Sequence, residues 1–80
     1  MIEVTVEFYS GFQADETPRA LLIDGRRLLV RSVIRREIVG SVMSQGGYHR
    51  TFVVELEDGS IWHLREAPEI PAGWIAEGNL

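Results

Sequence analysis

Cysteine is absent from this 80-residue chain, and so is lysine. Without cysteine there is no disulfide framework, no thiolate metal site and no thiol nucleophile. Histidine is scarce as well. His49 and His63 are the only two, fourteen positions apart, and a metal centre needs several converging ligands. No metal and no cofactor is therefore expected. No apolar run approaches membrane-spanning length, and the start M-I-E-V-T-V-E has neither a basic region nor an apolar core of signal-peptide type. The expectation is a cytoplasmic protein with no membrane contact. Eighty residues make one domain, 1–80, of a size that buries only about 60–65% of its unfolded surface.

Lacking lysine, the chain carries its positive charge entirely as eight arginines against twelve acids, for a net charge of −4. A GC-rich genome explains such a bias without reference to function. Planar bidentate donors would be the functional reason. The charges are segregated. Residues 1–18 hold four acids and no base, residues 19–50 hold seven arginines against Asp24 and Glu37, and residues 51–80 hold six acids against Arg65. The negative total argues against strong nucleic-acid binding, while the middle block is locally basic.

The densest apolar stretch is A-L-L-I-D-G-R-R-L-L-V-R-S-V-I-R-R-E-I-V-G, residues 20–40. Asp24-Gly25 between apolar arms signals a two-residue hairpin turn, because a type I′ turn needs positive φ at both central residues. That turn sets Ile23 opposite Arg26 and Leu21 opposite Leu28, with Leu21, Ile23, Leu28 and Val30 on one face. The other face carries Ala20, Leu22 and Leu29, too apolar for bulk water unless something covers it. After Val30 the alternation fails, and one extra residue near Arg31-Ser32 restores it, as a β-bulge does. A helix over 27–39, between Asp24 and Gly40, competes. Five β-branched residues and arginines at the wrong end for the helix dipole favour the strand.

Elsewhere, Ile2, Val4, Val6 and Phe8 alternate with Glu3, Thr5, Glu7 and Tyr9, the pattern of a half-buried strand over 2–9. Residues 10–18 and 40–48 read as loops, with Phe12 folding back onto the core. A strand over 49–57 leads into Asp58-Gly59. A three-residue loop with Gly59 left-handed places Val54 opposite Trp62 and Phe52 opposite Leu64, which separates core from solvent. The paired strand then runs 61–66. Pro68 and Pro71 exclude regular strand over 67–73, and Trp74-Ile75-Ala76 is a last strand or a plug. The expected fold is all-β: a small five-stranded SH3-like barrel, a curled antiparallel meander with no substantial helix. The expected core is Val4, Val6, Phe8, Leu21, Leu28, Val30, Phe52, Val54, Trp62 and Leu64.

The pattern P-x-x-L-x-x-D-G-x-x-L-x-V-x-x-V (Pro18 to Val33), with a later D-G-x-x-W-x-L (Asp58 to Leu64) and Trp74, resembles a group of small bacterial β-domains of unknown function. The resemblance spans about residues 16–76 and rests on fold-determining positions. It implies a small barrel and brings no catalytic chemistry.

Ser44 and His49 have no orienting carboxylate nearby, so no nucleophile–base pair is assembled. Gly46-Gly47 lacks the G-K-[ST] of a phosphate loop. The carboxylates at Asp15-Glu16 and Glu57-Asp58 sit at turns. Arg31, Arg35, Arg36 and Arg50, with Tyr48, form a candidate stripe for RNA or single-stranded DNA. Against it, Glu3, Glu7, Glu55, Glu57 and Glu66 have the sign and number to neutralise arginines across strands. The function expected is a non-enzymatic module that works by protein contact, with a copy of itself or another protein, through Ala20, Leu22 and Leu29. Nucleic-acid binding through the arginine stripe is the alternative.

Overall fold

The computed structural model describes residues 1–9, 17–40 and 48–78. Phe12 and Ser44 lie outside the described residues, as does the side chain of Tyr48. Six strands follow one another in a meander: β1 (Ile2–Phe8), β2 (Pro18–Ile23), β3 (Arg26–Gly40), β4 (Tyr48–Leu56), β5 (Ile61–Glu66) and β6 (Trp74–Gly78). Every neighbour is antiparallel, and β1 pairs with β6 to close a barrel.

The count corrects the expectation of five strands. Residues 74–78 do not plug an end. They pair with β5 on one side, with Leu64 opposite Ala76, and with β1 on the other, with Val4 opposite Trp74. The reason is the edges: five strands would leave β1 and β5 with unpaired backbone, and a sixth satisfies both. Over 26–40 the strand prevails over the helix, as the β-branched residues imply.

Turn chemistry sets the registers. Asp24 (φ 50°) and Gly25 (φ 81°) form the tight turn of β2–β3, and Leu21 lies opposite Leu28. Gly59 (φ 85°) closes the three-residue loop of β4–β5, with Phe52 opposite Leu64 and Val54 opposite Trp62. The Leu56 amide donates to the Ser60 carbonyl at 2.9 Å across that loop. The β3–β4 register shifts between Val30 and Ser32, where the lost alternation predicted a bulge. It shifts again between Val33 and Arg35, a second bulge that a single corrected alternation does not require. Two bulges let one long strand bend around a narrow barrel.

The core holds Val4, Val6, Leu21, Ile23, Phe52, Val54, Leu56, Leu64, Trp74 and Ala76. Phe8, Leu28, Val30 and Trp62, expected in the core, are half-buried and packed against it. Ile2, at the start of β1, is exposed although it continues the inward alternation. Phe8, Phe52 and Trp74 pack at tilted angles with centroids 5.7–6.2 Å apart. Trp62 lies toward the other end, over Gly78. A Cβ at Gly78 would come within 2.7 Å of three indole atoms, so glycine makes room for the ring.

Candidate protein-contact surface

The outer face of the β2–β3 hairpin is covered by the chain itself. Ala20 is fully buried and Leu22 half-buried; only Leu29 is well exposed, at 43%. The cover follows from the registers. Glu7 of β1 lies opposite Ala20, and Arg27 of β3 lies opposite Leu22. Their side chains meet across β2, with Arg27 Nε donating to Glu7 Oε2 at 2.8 Å and Nη2 to Oε1 at 3.0 Å. This bidentate pair crosses the sheet between Ala20 and Leu22, and its methylene stems shield the apolar strip. The Arg27 hydrogen bond also holds the Glu7 carboxyl below the ordinary carboxylate pKa. Ala20 is thus withdrawn as a contact residue.

The arginine stripe is largely neutralised. Arg31 Nη1 lies 3.7 Å from Glu55 Oε2, and its Nη2 donates to the Glu57 carbonyl at 2.9 Å. Arg35 Nη1 lies 3.4 Å from Glu37 Oε1. Arg50 is built into the barrel mouth. Its guanidinium stands 5.2 Å from the Phe8 ring centroid and 5.4 Å from that of Trp74. Its Nη2 donates to Glu66 Oε2 at 3.0 Å, and Glu66 Oε1 accepts from the Arg50 backbone amide at 3.0 Å. That bonding lowers the Glu66 pKa against the opposing effect of burial. Arg50 therefore caps the aromatic cluster. Among the described residues, Arg36 makes no ion pair. Tyr48 begins β4 opposite Gly40.

The surface that remains open lies where β3 outruns β2. β3 has fifteen residues and β2 only six. Pairing with β2 covers residues 26–29, while pairing with β4 continues to Gly40. Beyond Leu29, among the described residues, no strand occupies the other edge of β3. Arg36 and Ile38 lie opposite Phe52 and Arg50, extending the barrel's inner face past its mouth. Arg35, Glu37 and Val39 lie opposite Val53, Thr51 and His49 on the outer face. Ile34 is 57% exposed and Ile38 74%, with Val39 also exposed. Sequence reasoning missed this edge. The signal was the unequal length of the two hairpin arms, since a strand that outlasts its neighbour must lose it.

Candidates for chemistry stay dispersed. No three metal-binding side chains cluster among the described residues. His49 lies opposite Val39 and His63 opposite Val53, on different strands. A shallow depression of about 150 Å³ is lined by Met1, His63, Arg65, Ile75, Ala76 and Glu77. Its lining holds no serine, threonine or cysteine. Among the described residues no helix is long and apolar enough to cross a membrane. Comparison with known proteins found no matching family model, no matching curated protein and no matching solved structure.

Proposed function

We propose that this chain is a non-enzymatic β-barrel module that acts by protein contact, and that the contact surface is the free edge of β3 over residues 33–40. The supporting observation is one overhang on which two isoleucines are more than half exposed beside backbone that, among the described residues, has no strand partner. Natural sheets pair, cover or charge such an edge. Here arginines and two bulges guard it only in part, and the stretch after Arg35 is regular. Strand addition suits this geometry: main-chain hydrogen bonds supply affinity and alternate side chains supply selectivity. The contact shifts from Ala20, Leu22 and Leu29 to a surface one strand-length away. Nucleic-acid binding has weaker support, since Arg31, Arg35 and Arg50 already have carboxylate partners.

A photo-cross-linking residue at position 38, compared with one at the exposed position Thr5, tests the reading in cells of the source. A discrete adduct from position 38 and none from position 5 is the expected result. Equal or no labelling at the two positions removes the contact reading.

A further inference from the structure

We propose that the occupant of the β3 edge that no described strand covers is the same edge of a second copy, paired antiparallel about a two-fold axis through Arg36. The inference rests on the protein-contact reading and names its partner. A two-fold axis normal to a sheet maps each face onto itself, so the axis must pass through a residue and not between two. The centres available along the overhang then differ sharply in what they oppose. Centring on Glu37 sets two carboxylates face to face, and centring on Arg35 sets two guanidiniums face to face with Ile34 against Arg36. Centring on Ile38 sets Glu37 against Val39 and Arg36 against Gly40, so no acid meets a base. Centring on Arg36 places Arg35 opposite Glu37 of the partner subunit, and Glu37 opposite the partner's Arg35. It also places Ile34 opposite the partner's Ile38, and Ile38 opposite the partner's Ile34.

This register thus meets each of the overhang's features. The two exposed isoleucines of each copy cover those of the other. Arg35 and Glu37, already 3.4 Å apart within one chain, become a four-membered row of alternating charge across the outer face. The two copies of Arg36 meet on the axis, the one like-charged contact. They set a limit on affinity and keep the pairing reversible, as an arginine on an edge strand does. The occupant is a second copy because the edge is complementary to itself in both charge and apolar position. A foreign strand would have to supply the same sequence of acid, base and isoleucine.

Charge swapping in separate chains tests the register. Sedimentation equilibrium of the wild type should show a monomer–dimer equilibrium. Arg35→Glu places two acids against two acids, Glu37→Arg places two bases against two bases, and each should weaken the dimer about tenfold or more. Mixed together, the two variants should form a one-to-one heterodimer at least as tight as the wild type. The intrachain pair cannot account for that recovery, because it is broken in both chains. A control mixture of Arg26→Glu with Glu69→Arg, matched in net charge, should gain nothing over either variant alone. Arg36→Thr should tighten the homodimer. A monomeric wild type up to several hundred micromolar overturns the proposal, as does a mixture no tighter than its components or no better than the control. If it fails while position 38 still yields a discrete cross-link, the edge belongs to a strand of another protein and the contact reading survives.

Discussion

At the scale of single residues, the barrel depends on a few side chains that each satisfy two neighbours. Phe52 is the plainest case: it is buried, opposite Leu64, and in contact with the rings of Phe8 and Trp74. Phe52→Ala removes a ring from the centre of the aromatic cluster and should cost about 3–5 kcal/mol. In a domain of this size that is a large part of the total stability, so urea denaturation should find the variant mostly unfolded at 37 °C. A variant with an unchanged midpoint would show that the cluster does not hold the fold together. Glu66 is the second case. Its pKa is lowered chiefly by the side-chain hydrogen bond from Arg50. A carboxyl lowered on folding contributes stability that is present above its unfolded pKa and is lost as pH falls through its folded value. Glu7, lowered by Arg27, and Asp58, lowered by Ser60, act with the same sign. The melting temperature should therefore decline as pH falls below about 4.5, the ordinary glutamate value. Glu66→Gln should lower stability at neutral pH and make the acid side of that curve shallower. A curve parallel to the wild type's would remove Glu66 as a source of the acid sensitivity.

At the scale of elements, turns and alternation decided most of what the sequence disclosed. The two Asp-Gly turns fix their hairpins because positive φ favours few residues, and both registers follow from them. Alternation over 51–56 and 61–66 then assigns the inner face without ambiguity. Three features were not, or only partly, legible. Residues 74–76 read as a last strand or a plug, and only the needs of β1 and β5 decide for the strand. The cover over Ala20 depends on a side-chain bridge spanning three strands, from Glu7 to Arg27, which pairwise hairpin reasoning does not reach. The edge of β3 beyond Leu29, which no described strand covers, depends on where β2 begins. Gly78 shows how such elements lock together. Its missing side chain lets the Trp62 indole lie flat across β6, with Nε1 donating to Ser60 Oγ at 2.9 Å. Gly78→Val should displace the ring at a cost of about 1–3 kcal/mol. Tryptophan fluorescence should shift to the red before any unfolding. An unmoved emission maximum would mean that the strand yields and the ring stays.

At the scale of the whole molecule, charge separates the competing functions. The chain is acidic overall, and four of its eight arginines, Arg27, Arg31, Arg35 and Arg50, sit in ion pairs with glutamates. Nucleic-acid affinity needs unpaired cations that can release counterions from phosphate. The wild type should accordingly pass a single-stranded RNA column at low salt without delay. Retention that falls steeply with salt and vanishes in Arg35→Glu/Arg36→Glu would restore the nucleic-acid reading.

The pairing of β1 with β6 has a consequence for how the protein comes into being. β1 is made well before β6, and the contact that closes the barrel joins strands more than sixty residues apart. Until β6 docks, the chain holds five strands in series with β1 and β5 both unpaired on their outer sides. Contacts so distant in sequence form slowly, and unpaired strands invite neighbours on a crowded polysome. A chain in which β6 has not yet docked is then the species most exposed to aggregation.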